Sequence, residues 1–416
     1  MTGAGGPATV HAAVRGALAR PAVRWMAPLL AGRAAFRVVL YLSGPLLLLA
    51  WGRGAFNGYA AAVGSVTWLT VLVQAGPEKA VLKLVPRSRR TRGDLLRPLR
   101  AMVAWLPVPA ALATLAALAA APSATATLYL AAAAFQVAIG CTLLGTALHR
   151  SLGRSRPDLA AYAVLTAGIA AATGLALLWT PAPQLYLAGL MGVCMLVNVV
   201  LVRALPVPRP AGRRGVRGLL AGTVLLMGAP EVMTNAATSL LYVELALGPH
   251  AGQSGRLYLV LTVWSLVIVT GYFVQRMLQP AASARLSGEG AAAGQARARR
   301  IAWSVLAASA AWLAAAGAVL AALGPHRAAS VPVLAVLLLS RAPLYLLMAY
   351  AAYLLENTGG RDLRTSAAGG AAGLAAVVLA GAAAVPLWGA AGAVYALGAK
   401  DLVLGAVVAA RTGRRP

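Results

Sequence analysis

Acidic residues and lysine are scarce in this chain. Among 416 residues, nine are aspartate or glutamate, and lysine occurs only at Lys79, Lys83 and Lys400. The two cysteines, Cys141 and Cys194, lie in different apolar runs without the spacing of metal ligands, so we expect buried or lipid-facing thiols. The histidines form neither a pair nor an HExxH sequence, which argues against a metal site. A phosphate-binding loop and a Ser/His/Asp set are also missing, so we expect no catalytic residues and no enzyme activity.

Apolar residues dominate what is present. The chain is 60% hydrophobic and 11% charged, and its mean hydropathy is +0.78. A soluble domain of this length would not be so apolar, so we predict an all-α polytopic membrane protein. The net charge of +27 comes from arginines in short connections between apolar runs. Because these arginines do not form one soluble basic face, we predict no nucleic-acid binding.

Twelve apolar runs have the length of membrane spans, about 20 residues for about 30 Å of hydrocarbon. We place them near residues 35–52, 58–82, 101–121, 126–148, 158–180, 184–203, 218–247, 256–279, 301–323, 331–354, 366–385 and 388–410. The connections alternate between weakly charged and strongly basic, as at 83–100. By the positive-inside rule, both termini are cytoplasmic. We expect no cleaved signal peptide and a multi-pass protein of the bacterial cytoplasmic membrane.

A weak internal repeat divides the chain into two halves. Six spans precede the proline-containing linker and six follow it, and Gly44–Pro45 in the first span matches Gly228–Pro230 in the seventh. The predicted units are a cytoplasmic basic N-terminal segment (1–34), a six-helix bundle (35–204), a cytoplasmic linker (205–217), a second six-helix bundle (218–410) and a cytoplasmic tail (411–416). Within the first unit, an amphipathic helix on the membrane surface and a disordered tail remain equal alternatives.

Charged side chains inside the second half are the first candidate site. Glu231, Arg341, Lys400 and Asp401 fall near the bilayer centre, where a charge is costly and normally faces a partner or a wet cavity. We expect a cross-helix pair, either Glu231–Arg341 or Asp401–Arg341, with Asn235 on the same helical face as Glu231. The set is interpreted as a structural ion-pair network, as a site for a coupling H⁺ or Na⁺, or as a set of substrate contacts.

Cations at the helix ends of the first half are the second candidate site. Arg33, Arg37 and Tyr41 follow a four-residue spacing on the first span, and a second stripe contains Gln74, Glu78, Lys79 and Lys83. Tyr272, Arg276 and Gln279 form a similar stripe on the eighth span. Such cations either reach toward lipid head groups or form a vestibule that binds a phosphate or pyrophosphate group.

Several stretches resemble the multidrug/oligosaccharidyl-lipid/polysaccharide (MOP) flippase superfamily, and most closely its polysaccharide (O-antigen type) and lipid II flippases. These stretches are Arg37–Pro45, the turn WGRGAFNGY (51–59), the run VQAGPEKAVLKLVPR (73–87) and the entry PLWGAAG (386–392) to the last span. The resemblance implies two six-helix bundles around a central cavity that opens alternately to each side. It implies transport of an undecaprenyl-pyrophosphate-linked glycan, with its phosphates on basic residues. On matching positions these are Arg37, Lys79, Lys83 and Arg276.

The resemblance also implies roles for the two central breaks and the buried acids. Gly44, Pro45, Gly228 and Pro230 would be hinges, and Glu231 and Asp401 would hold a coupling cation. No cofactor is expected other than a possible coupling H⁺ or Na⁺. The expected partners are membrane lipid, the lipid-linked glycan and glycan-assembly proteins.

Three functions remain open from the sequence. The leading hypothesis is a flippase for a polyprenyl-pyrophosphate-linked oligosaccharide or a similar anionic lipid. The first alternative is a cation-coupled multidrug or small-molecule antiporter of the same superfamily, although the first half offers few acids. The second is an integral-membrane glycan polymerase or glycosyltransferase, which would be expected to have a large outer loop and an outer-face acid.

Overall fold

The computed structural model is helical throughout the residues it describes. These are residues 21–85, 90–179, 182–207, 212, 215–266, 268, 290–358 and 360–412, and none of them lies in a strand. In the first half the helices are α1 (Pro21–Val66), α2 (Trp68–Leu84), α3 (Arg92–Trp105), α4 (Pro107–Ala120), α5 (Thr125–Ser151), α6 (Ser155–Trp179) and α7 (Pro183–Ala204). In the second half they are α8 (Val216–Leu247), a 3₁₀ turn (Ala251–Gln253), α9 (254–266), α10 (Gly290–Ala328), α11 (Val331–Thr358), α12 (Gly360–Trp388) and α13 (Ala390–Thr412).

The predicted membrane crossings are recovered wherever the chain is described. Ten stretches are long and apolar enough to cross a bilayer, and one of them, Ala31–Leu84, has 54 residues. At 1.5 Å per residue this stretch would extend about 80 Å, so it contains two crossings. Gly52, with φ 70°, marks the kink between them. The predicted eighth span is described only as far as residues 266 and 268, and its remainder, with Arg276, lies outside the described residues.

Three boundaries differ from the sequence prediction. The connection expected at 52–57 is reduced to Gly52, because a single glycine at positive φ reverses the helix direction at little cost. Residues 92–100, expected in a loop, form α3, whose Leu95, Leu96 and Leu99 are buried despite the flanking arginines. Residues 21–34, assigned from the sequence to a separate N-terminal segment, are continuous with the first span in α1.

Each half has one central helix that the others surround. In the first half this is α5, whose many alanine and glycine positions allow close packing against α2 and α7. In the second half α13 packs against α10 and α12 in the same way. Small residues allow helix backbones to approach closely in the bilayer, where packing rather than the hydrophobic effect drives association.

The two halves meet along α2 and α8. A Cβ on Gly76 would overlap the carbonyl oxygen of Val224, and a Cβ on Gly228 would lie 2.9 Å from the Gly76 Cα. The helices therefore cross backbone to backbone at these two glycines. Toward the end of the bundle that carries Gly52 and Gly389, called the far end below, the Asn57 side chain accepts a hydrogen bond from Gly255 N at 3.0 Å.

The two predicted hinges lie inside continuous helices. The described non-helical residue of α1 is Gly52, seven residues beyond Pro45, and α8 passes Gly228 and Pro230 as one helix. A proline in a helix removes one backbone hydrogen bond and makes bending easier there. The hinge roles of Gly44, Pro45, Gly228 and Pro230 therefore remain predictions.

Candidate functional site

A cleft between the two halves is lined by four charged side chains of the second half and one of the first. One wall comes from α2 of the first half, and the others come from α8, α11, α12 and α13. Its lining consists of Lys79, Pro230, Glu231, Thr234, Tyr345, Met348, Ala349, Ala352, Tyr353, Glu356, Ser366, Gly370, Lys400, Asp401 and Leu404.

A set of ion pairs joins the two halves at one side of this cleft. The Lys79 Nζ lies 3.0 Å from the Glu231 Oε1 and 3.2 Å from the Glu356 Oε1. The three side chains are only 10%, 20% and 10% exposed. Lys79, Glu231 and Glu356 are called the acidic cluster below, because two carboxylates and one ammonium give it a formal charge of −1.

A second set of charges is buried at the other side. The Arg341 guanidinium pairs through Nε with the Asp401 carboxylate, and their side chains are 2% and 1% exposed. The guanidinium carbon also lies 5.3 Å from the centre of the Trp264 ring. Lys400 is next in sequence to Asp401 and lies with its Nζ 5.2 Å from the Tyr345 ring centre. Arg341, Lys400 and Asp401 are called the cationic cluster, with a formal charge of +1.

The observed pairs explain how the buried charges are distributed. Of the two expected pairs, the structure forms Arg341–Asp401, whereas Glu231 binds Lys79 rather than Arg341. Asn235 is outside the cleft lining, and its side-chain amide donates to the Glu231 backbone carbonyl at 2.9 Å. Lys79 and Glu231, which sequence reasoning assigned to two different sites, therefore belong to the same one.

The other first-half cations have different surroundings. Asp158, whose side chain is fully buried, binds Arg33 at 2.9 Å and Arg150 at 3.3 Å. Arg150 also binds Glu78 at 3.1 Å. Glu78 therefore faces the first half while its neighbour Lys79 faces the second, as expected for adjacent residues about 100° apart on a helix. The single stripe predicted on α2 is thus split between two faces.

Arg37 and Lys83 lie away from the cleft lining. The Arg37 Nη1 donates to the Tyr41 hydroxyl at 3.4 Å, and its guanidinium carbon is 5.9 Å from the Phe36 ring centre. Lys83 is half-buried in the last turn of α2. Five cations were predicted from the sequence to bind substrate. Of those that the structure describes, only Lys79 lines the cleft.

Sequence reasoning missed three residues of α11 in the cleft. Tyr345, Tyr353 and Glu356 line it together with Ala349 and Ala352. Their spacing of eight and three residues places them on one helical face. This pattern was available in the sequence, but the span was predicted to end at residue 354, which put Glu356 in a loop.

Comparison with known proteins identifies the fold. No protein-family model and no curated protein matches the chain by sequence. The structure is similar to that of the lipid II flippase MurJ in an inward closed conformation, with a TM-score of 0.56, 10% identity and coverage of 92% of this chain and 88% of the other. It is also similar to a multidrug resistance MATE family transporter of the MOP superfamily, inward-facing, with a TM-score of 0.50, 14% identity and coverage of 92% and 93%. The outward-facing form of such a transporter gives a TM-score of 0.50 at 13% identity, covering 94% of each chain. The chain therefore shares the all-α fold of these transporters, with helices that are long and apolar enough to cross a membrane several times.

Proposed function

We propose that the protein is a flippase that moves a polyprenyl-pyrophosphate-linked oligosaccharide, or a similar anionic lipid, across the bacterial cytoplasmic membrane by alternating access. The observation that carries this proposal is the acidic cluster, in which Lys79 of one half is held by Glu231 and Glu356 of the other. Its partners would be membrane lipid, the lipid-linked glycan and glycan-assembly proteins, and both termini would be cytoplasmic.

The acidic cluster gives a physical route from substrate binding to movement of the halves. An anionic head group competes with Glu231 and Glu356 for the Lys79 ammonium, because phosphate oxygens accept charge-assisted hydrogen bonds from lysine. When the substrate binds Lys79, an attraction between the halves is lost. A ligand shifts a conformational equilibrium by its differential affinity for the two states, so an anion that replaces this contact favours separation of the halves.

The similarity of fold to a lipid II flippase supports a lipid substrate. Arg37 of α1 and Lys83 in the last turn of α2 would raise the local concentration of an anionic lipid before it reaches Lys79. Arg33 is a weaker candidate for substrate binding than the sequence suggested, because Asp158 already binds it.

A second candidate is a cation-coupled antiporter for drugs or other small organic cations. Two glutamates and two tyrosines, Glu231, Glu356, Tyr345 and Tyr353, line the cleft, and carboxylates and aromatic rings both bind organic cations. In this case Lys79 would be the group that the incoming cation displaces, and release of Glu231 would link transport to H⁺ or Na⁺.

Transport by the purified full-length protein in liposomes distinguishes the candidates. One set of vesicles contains a fluorescent polyprenyl-pyrophosphate disaccharide, and translocation is followed by chemical quenching of the outer leaflet. The other set is loaded with a fluorescent organic cation and given an H⁺ or Na⁺ gradient. Lys79→Gln is compared with Arg53→Gln, which removes an exposed cation at the far end.

The flippase predicts lipid translocation above the rate of empty vesicles, a loss of more than tenfold in Lys79→Gln and no loss in Arg53→Gln. Gradient-driven movement of the organic cation without movement of the lipid would replace this proposal with the antiporter. Equal lipid rates in Lys79→Gln and wild type would remove Lys79 from the mechanism.

A further inference from the structure

Lys400 is a buried cation that forms no salt bridge with a carboxylate among the described residues. It is 4% exposed, and its neighbour Asp401 is turned toward Arg341. The Lys400 Nζ lies 5.2 Å from the centre of the Tyr345 ring. Lys400 nevertheless lines the cleft, so a molecule that enters there meets its side chain.

Lys400 cannot reach the membrane surface. It lies ten residues after the first residue of α13 and twelve before the last, which places its Cα about 15–18 Å from each helix end. A lysine side chain extends only about 6 Å, so it cannot place its charge at the head groups in the way that cations near helix ends do. A charge in this position is costly, and such residues normally serve a ligand, an ion path or a partner.

The neighbouring helix leaves room for the Lys400 stem. A Cβ on Gly373 of α12 would lie 2.9 Å from the Lys400 Cγ, which is closer than real Cβ contacts allow. The glycine at position 373 therefore permits the side chain to run along α12. An apolar side chain in place of Lys400 would fill the same groove without the cost of a buried charge, so packing alone does not account for the lysine.

The electrostatics of the cleft determine which ligand Lys400 would bind. The carboxylates of Glu231 and Glu356 are held by Lys79, and that of Asp401 is held by Arg341. The acidic cluster has a formal charge of −1 and the cationic cluster +1, so the two sides of the cleft have opposite sign. An anion is therefore stabilised more strongly at the Lys400 side of the cleft than at the side of the glutamates.

We propose that Lys400 binds an oxyanion, a phosphate or pyrophosphate group, inside the cleft. This inference rests on the proposed function, in which that group is the head group of the transported lipid. It differs from the vestibule expected at the first-half helix ends, because it places the phosphate at the second half and near the centre of the bilayer. Lys79 would then exchange its contacts with the two glutamates for a contact with the anion, and Lys400 would bind the anion near the centre of the membrane.

Equilibrium binding to the full chain in phosphatidylcholine nanodiscs tests the assignment. Three probes are compared: a fluorescent polyprenyl pyrophosphate, inorganic pyrophosphate and the uncharged polyprenol. The variants are Lys400→Gln, Lys400→Arg and the exposed control Arg53→Gln. Loss of one charge-assisted hydrogen bond predicts an affinity for polyprenyl pyrophosphate about 10–100-fold lower in Lys400→Gln. Lys400→Arg should retain most of the affinity, and Arg53→Gln all of it.

A second variant covers the case in which Lys400→Gln does not fold. Gly373→Ala keeps every charge but places a methyl group against the Lys400 stem, so it should also weaken binding of polyprenyl pyrophosphate. Gly189→Ala is the matched control, because a Cβ at that glycine of α7 meets no atom within 4 Å. Polyprenol should bind equally to all the variants, since it has no phosphate.

The outcomes separate the two proposals. If wild type and the Lys400 and Gly373 variants bind polyprenyl pyrophosphate equally, Lys400 is not the oxyanion site, although the proposed lipid substrate stands. If inorganic pyrophosphate binds as tightly as the lipid and depends on Lys400, the oxyanion site stands and the ligand is a free anion, which contradicts the proposed lipid substrate.

Discussion

Removing Asp401 should destabilise the protein more than removing either of its cationic neighbours. The cationic cluster contains one carboxylate and two cations, and Arg341, Lys400 and Asp401 are all at least 96% buried. Asp401→Asn therefore leaves two buried positive charges close together. Arg341→Met leaves Lys400 and Asp401, whose formal charges cancel, and Lys400→Met leaves the Arg341–Asp401 pair intact.

The expected magnitudes follow from this difference. Breaking a buried ion pair by removing one partner costs about 3–5 kcal/mol, because the other charge is left without compensation. We expect Asp401→Asn to reach the upper end of that range. Arg341→Met should cost less, about 1–3 kcal/mol, the cost of an unsatisfied buried acceptor. Lys400→Met should change stability by about 1 kcal/mol or less.

Reversible unfolding in mixed detergent micelles measures these changes as free energies of unfolding. The predicted order of destabilisation is Asp401→Asn, then Arg341→Met, then Lys400→Met. The double variant Asp401→Asn with Arg341→Met should recover part of the loss, because only one buried cation remains. Arg53→Gln, an exposed control, should stay within about 0.5 kcal/mol of wild type. Equal losses for Asp401→Asn and Lys400→Met would refute the arrangement of charges described above.

Two further predictions concern the contact between the halves and the buried ion pairs of Asp158 in the first half. Gly76→Ala should destabilise the protein by about 1–3 kcal/mol, because the new methyl group meets the Val224 backbone. Gly189→Ala is the control and should have little effect, and thermal unfolding of both variants tests this. Asp158→Asn should lower the free energy of unfolding by several kcal/mol, because the buried carboxylate binds both Arg33 and Arg150. The control is Asp94→Asn, which removes an exposed hydrogen bond to Gly212 and should have little effect. Equal melting temperatures for the two variants would contradict a stabilising role of the Asp158 ion pairs.

The fold could be predicted from the sequence because each membrane span can be recognised from its own residues alone. The fourth and sixth spans, predicted at 126–148 and 184–203, are Thr125–Ser151 and Pro183–Ala204 in the structure. Length and hydropathy determine such segments locally. Residues 92–100 were misassigned because their arginines outweigh three leucines in any local average, although those leucines are buried in α3.

The site could be predicted only in part, because its pairs join distant positions. The sequence identified Glu231, Arg341, Lys400 and Asp401 as costly charges, but their partners depend on how helices pack. Lys79 and Glu356 are 277 residues apart and lie within 3.2 Å. Hydropathy contains no information on which face of α2 meets the second half, so Lys79 was grouped with Glu78, which faces the other way.

Alternating access requires the halves to separate at each end of the cleft in turn, so a cross-link at the far end tests the account directly. Asn57→Cys with Gly255→Cys, in a Cys141→Ala/Cys194→Ala background, joins α1 to α9 where the Asn57 side chain contacts the Gly255 backbone. The measurement is translocation of the fluorescent polyprenyl-pyrophosphate disaccharide in liposomes before and after oxidation. With alternating access, we expect transport by the reduced protein, loss of transport on oxidation and recovery on reduction. Undiminished transport by the fully cross-linked protein would contradict it.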